Sequence, residues 1–159
     1  MVHTEKVVKD LEINYSGVFD LKEFLDVVKK YFERNDYFLD EKSYDTKTKD
    51  DTKNTFMRWQ FERKLDDYNK SVIKINIKVS NYTENYLDGK KVIKGDINLK
   101  INAELNRDYD DHWKGPMWKK FFRSIYDQYI AEERQDKVKG SIKTLIEGLR
   151  KDVKKYFNI

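Results

Sequence analysis

Ser71-Val-Ile-Lys-Ile-Asn-Ile-Lys-Val-Ser80 and Asp96-Ile-Asn-Leu-Lys-Ile-Asn-Ala-Glu-Leu105 decide how this chain folds. In the first stretch Ile73, Ile75, Ile77 and Val79 alternate with Lys74, Asn76 and Lys78. In the second, Ile97, Leu99, Ile101, Ala103 and Leu105 alternate with Asn98, Lys100, Asn102 and Glu104. A period of two puts successive side chains on opposite sides of a pleated strand, so each stretch has one dry and one wet face. Met57, Trp59, Phe61 and Leu65, separated by Arg58, Gln60 and Glu62, form a third segment of the same parity. Strands patterned in this way predict an antiparallel sheet with helices on one side only.

Opposed residues of antiparallel strands share a face, which tests how the segments connect. A loop over Asp67 to Ser71 pairs Leu65 with Ile73 and keeps both on the dry face. A two-residue turn at Asp88-Gly89, carried straight back, sets Val79 opposite Asn98 and so core opposite solvent. This connection therefore needs a loop of odd length or a β-bulge between Ser80 and Gly95.

Upstream, Leu11, Ile13 and Tyr15 alternate with Asp10, Glu12 and Asn14 as a further strand, which Ser16-Gly17 is expected to end. Asp20, three residues before Glu23, makes a capping box. Leu21, Phe24, Leu25, Val28, Tyr31 and Phe32 follow at helical spacing, predicting a helix over Asp20–Arg34. Tyr37-Phe38-Leu39 reads as a short edge strand, and the turn-rich stretch from Asp40 to Asn54 as a mobile loop. Downstream, Pro116 opens a helical tail. Trp118, Phe121, Phe122, Ile125 and Tyr129 form one apolar stripe, and Val138, Ile142, Leu145, Leu149, Val153 and Phe157 another, half a turn away on a straight helix. A break near Arg134 to Ser141 would bring both stripes to one core; the alternative is a single long helix whose second stripe docks on another subunit. The expected architecture is a single α+β domain over residues 1–159: an antiparallel sheet of four or five strands, packed on one face by the N-terminal helix and a long, broken C-terminal helical segment.

Composition narrows the function classes. The 159 residues are 38% hydrophobic, and with 11 Tyr, 9 Phe and 3 Trp the core is built from few but large side chains. Charged residues reach 39%, yet the net charge is only +4, which argues for a folded chain rather than a self-repelling one. The positive excess sits in the tail: Pro116 to Ile159 carries 11 Lys plus Arg against 6 Asp plus Glu. Without cysteine there are no disulfides, thiol chemistry or cysteine zinc sites. With no apolar leader and no run near the roughly 18 apolar residues of a membrane span, a cytoplasmic address is expected, and no membrane partner.

The densest polar cluster, Asp108, Asp110, Asp111 and His112, follows a strand and precedes a Gly-Pro helix start, where Asp is favoured by turn geometry and the helix dipole. It is read as a turn, not as a metal or catalytic centre. Phosphate-loop, dinucleotide, serine-hydrolase and zincin motifs are missing from the sequence, so no enzyme activity and no cofactor are expected. The residues singled out as a binding surface are Tyr82, Tyr86, Tyr109, Trp113 and Trp118, with the cations Lys119, Lys120 and Arg123. Aromatic and cationic side chains of this kind are enriched where proteins meet.

The order strand, helix, antiparallel sheet and closing helix resembles the helix-grip arrangement of the START-like lipid-transfer and Bet v 1 superfamily. Phe61-Glu62-Arg63-Lys64-x-Asp66-x-Tyr68, then Lys94-Gly95, then Trp118-x-x-Phe121-Phe122-x-x-x-Tyr126 are similar to a small family of uncharacterised archaeal proteins, a resemblance that implies no activity. The expected function is a nonenzymatic binding or assembly module with a protein partner or a second copy of itself. The alternatives are a START-like carrier of a small apolar ligand and nucleic-acid binding through the basic C-terminal helices.

Overall fold

A computed structural model, which describes residues 3–107, 121 and 132–159, contains five strands and two helices among them. They follow in the order β1 (His3–Phe19), α1 (Leu21–Arg34), β2 (Phe38–Lys49), β3 (Thr52–Lys64), β4 (Asn69–Leu87), β5 (Lys90–Arg107) and α2 (Glu132–Phe157). One antiparallel sheet is ordered β1-β5-β4-β3-β2, so β2 to β5 meander and β1 returns to the far side of β5.

The shared parity of the three decisive segments is the parity of the core. Met57, Trp59, Phe61, Ile73, Ile75, Ile77, Val79, Ile97, Leu99, Ile101, Ala103 and Leu105 are all buried. One cluster joins them to Phe24, Val28 and Phe32 of α1 and to Ile142, Ile146, Leu149, Val153 and Phe157 of α2. Rings fix the contact: Phe32 stacks on Phe61 at 4.1 Å between centroids, and Phe157 stacks on Tyr15 at 4.3 Å. The alternate face carries Arg58, Gln60, Lys74, Asn76, Lys78, Lys100 and Asn102, with Val72 the one buried apolar side chain at an even position between Glu62 and Glu104.

The β4–β5 hairpin meets its register requirement through a bulge. Leu87 pairs with Lys90 across a two-residue Asp88-Gly89 turn, and a shift between Ser80 and Thr83 restores Val79 opposite Ile97. Both turn residues have positive φ, 51° and 79°, which suits a hairpin's right-handed twist. Asn81, the extra residue, takes φ 53° and donates its backbone N–H to Asn54 Oδ1 at 3.0 Å.

Four expectations are corrected. Strand β1 does not end at Ser16-Gly17: pairing with β5 continues to Phe19 opposite Ile93, because the buried Phe19 ring rewards the extension. The stretch from Asp40 to Asn54 is not a loop but most of β2, an Asp50-Asp51 turn and the start of β3. Its Lys and Thr residues are those of a solvated edge strand, where charge discourages further pairing. The β3–β4 turn comes two residues earlier than expected: Phe61, not Leu65, opposes Ile73, because Asp66 captures the N–H groups of Tyr68 and Asn69 and folds the chain there. Finally, α2 passes through Arg134 to Ser141 without a break. Ser141 and Thr144 hydroxyls donate to the carbonyls of Lys137 and Gly140 within the helix, so these polar and glycine residues are accommodated in it. Of the first apolar stripe, Phe121 alone is described, and it is exposed.

Candidate functional site

Beyond the bulge at Asn81 the parity of β4 reverses, and this reversal builds a site. Tyr82, at an even position, turns toward the core side with 5% of its surface exposed. Its hydroxyl lies 2.7 Å from Thr55 Oγ1, which is 3.0 Å from Thr46 Oγ1, so a chain of hydroxyls across β4, β3 and β2 fixes the ring. Opposite it in β5 is Gly95, where an added Cβ would sit 2.5 Å from the Cβ of Tyr82.

Tyr82, Ile93, Tyr44, Leu21 and Leu25 line a groove of about 500 Å³ between the start of α1 and the outer β4–β5 hairpin. Asp20, Lys22, Glu84, Lys90 and Lys91 stand around it. Asp20 is committed to the helix: its carboxylate accepts from Glu23 N–H at 3.1 Å, the cap expected from the sequence. Glu84 accepts from Lys53 at 3.0 Å and pairs with Lys91 at 3.2 Å. The Lys53 hydrogen bond, then that of Lys91, holds the Glu84 carboxyl below its ordinary range. With both acids engaged, the rim presents Lys22 and Lys90 as cations that no carboxylate of the described residues neutralises within 4.0 Å. Tyr44 and Tyr86 are exposed by 69% and 77%. Tyr86 shares its strand face with Tyr82 and Glu84, so a second aromatic follows Tyr82 outward along the hairpin on the groove side.

Among the residues singled out from the sequence, the structure brings Tyr82 into the groove and places Tyr86 beyond it on the same strand. Tyr109, Trp113, Trp118, Lys119, Lys120 and Arg123 lie outside the described residues, as do Asp108, Asp110, Asp111 and His112. The groove residues Leu21, Leu25, Tyr44 and Ile93 were not anticipated. A missed signal was Tyr44, an aromatic inside a Lys-, Asp- and Thr-rich run, where little but an edge strand presenting a contact would place one. Among the described residues no group of three or more His, Asp or Glu could hold a metal ion. The groove combines apolar surface from Leu21, Leu25 and Ile93 with the exposed Tyr44 ring and the lysines at its rim. No described helix is long and apolar enough to cross a membrane. The chain matches no protein-family model, and no curated protein matches it.

Proposed function

We propose that this protein is a nonenzymatic binding module whose partner is a protein segment bearing an apolar side chain flanked by acidic residues. The observation that carries the reading is the groove: an apolar floor of Leu21, Leu25, Tyr82 and Ile93, an exposed Tyr44, and a rim where lysine charge exceeds free carboxylate. A buried aromatic or aliphatic anchor supplies most of the energy of such contacts, while rim charge sets approach rate and partner choice. A photocrosslinking residue at position 44, introduced in the native host, should give discrete protein adducts. They should weaken when Lys22 and Lys90 are both changed to Glu, and a crosslinker at the exposed Lys30 should not reproduce them. Identical adducts from both positions, or none from either, would refute the reading.

The volume of the groove favours one second reading, a carrier of a small apolar ligand with a START-like, helix-grip packing of sheet and helices. Pockets for small molecules begin at about 300 Å³. Native mass spectrometry after gentle purification separates the two: a copurifying small molecule lost on Ile93→Lys supports the carrier, and a bare chain in repeated preparations supports the protein partner.

A further inference from the structure

The polar face of the sheet holds a second site, independent of the groove. Along β3, Asn54, Phe56, Arg58 and Gln60 occupy successive even positions on that face. The Arg58 guanidinium carbon lies 5.3 Å from the centre of the Phe56 ring. A depression of about 330 Å³ surrounds Phe56, lined by Asp45, Lys47, Asn54, Thr55 and Lys78. A larger one of about 570 Å³ starts at Arg58 and crosses the sheet over Lys74, Asn76 and Asn102. The two depressions meet at the Phe56–Arg58 pair.

Several cations of this face are already spent: Lys74 pairs with Glu104 at 3.2 Å, Lys42 with Asp40 at 2.5 Å and Lys100 with Glu12 at 3.4 Å. Arg58, Lys47 and Lys78, the three that flank Phe56, have no carboxylate of the described residues within 4.0 Å. Asp45 is the one acid lining the smaller depression, so charge there is positive on balance. Amides are available beside them. Asn54 and Asn102 each accept a backbone N–H through Oδ1, from Asn81 at 3.0 Å and Asp10 at 2.9 Å, which leaves both NH₂ groups free to donate outward.

We propose that this face binds single-stranded nucleic acid, one base stacking on the pair formed by the half-buried Phe56 ring and the Arg58 guanidinium over it, while Lys47, Lys78 and Arg58 hold adjacent phosphates. An aromatic ring capped by guanidinium is a platform for a flat π-face, which a duplex hides and a single strand offers. Free amide donors at the ends of the path suit the exposed edges of unpaired bases. A linear run of shallow depressions across several strands suits a chain rather than a compact ligand.

Fluorescence anisotropy with a labelled oligouridylate, an oligodeoxythymidylate and a duplex of the same length tests this. The single strands should bind at low salt and more tightly than the duplex. The logarithm of affinity should fall with the logarithm of salt with a slope of about −2, as about three phosphate contacts on a single strand require. Phe56→Ala should weaken binding about tenfold, Phe56→Trp should preserve it, and Lys47→Glu with Lys78→Glu should abolish it. Phe56→Leu replaces Phe56→Ala if the latter fails to fold, since it keeps apolar volume but removes the ring. Lys22→Glu, in the groove, should change nothing. Absence of low-salt binding, a preference for duplex, or indifference to both the Phe56 and the Lys47/Lys78 changes would overturn the proposal.

Discussion

Gly95 occupies a position where a methyl group has no room. The obstacle includes backbone: an added Cβ would lie 2.8 Å from the Cα of Tyr82 as well as 2.5 Å from its Cβ, and Tyr82 is held in place through Thr55. Gly95→Ala should therefore cost about 1–3 kcal/mol, the usual range for overpacking a closed site, seen as a lower urea midpoint with an unchanged slope. At the other end of the groove, Tyr156 donates its hydroxyl to the Asp20 carbonyl at 3.1 Å. Burial, followed by the charges of Glu23 and Asp20, pushes its phenol up to about 12. A folded value above the unfolded one, near 10, favours the neutral phenol. Its contribution to stability is thus complete below pH 10 and lost as pH rises through about 12. Titration of tyrosinate absorbance should show a late phenol that disappears in Tyr156→Phe.

Elements differ in what secures them. For α1 the N-cap is local: Asp20→Ala removes the acceptor for Glu23 N–H and should cost about 0.5–2 kcal/mol in urea unfolding. Strand β2 has one neighbour and almost no buried side chain, whereas β4 and β5 lie inside the sheet. Amide exchange should be fast along β2 and slowest at Ile75 and Leu99, an order that uniform protection across the sheet would disprove. The same contrast explains what the sequence made legible. Burial leaves a periodic trace, so β3, β4, β5 and α1 could be read directly, and parity required either an odd-length loop or a bulge between Ser80 and Gly95, of which the structure uses the bulge at Asn81. Strand β2 is held by cross-strand pairing and solvated side chains, and its composition is that of a loop. The Asp66 turn depends on which N–H groups a carboxylate reaches, which spacing does not fix. The groove inherits both difficulties: Tyr44 belongs to β2, and Tyr82 sits at an even position that points to solvent until the bulge reverses it.

At the scale of the whole molecule, α2 is tied to the sheet by charge as well as by its apolar stripe. Glu5 of β1 accepts from Lys139 at 2.6 Å and also pairs with Arg107 of β5, while Asp66 of the β3–β4 turn pairs with Arg134 at 3.1 Å. Burial raises the Glu5 carboxyl, but the Lys139 hydrogen bond and the charges of Arg107 and Lys139 outweigh it and hold the group below its ordinary value. Asp66 is lowered in the same way, its burial overcome by the N–H groups of Asn69 and Tyr68, the Asn69 side chain and Arg134. A folded carboxyl held below its unfolded value contributes stability above about pH 4, and that contribution is lost as the pH falls through the folded value. Each pair is partly exposed and worth about 0–1 kcal/mol, so neither alone holds the helix. Both release together in acid, however, and both act on the first turns of α2, where the apolar stripe has only begun with the partly buried Val138. The N-terminal half of α2 should therefore lose amide protection below about pH 4 before the sheet does, while Ile146 and Leu149 stay protected. Glu5→Gln should lower stability at neutral pH and flatten its acid dependence; an α2 that exchanges as one unit at every pH would show that packing alone positions it.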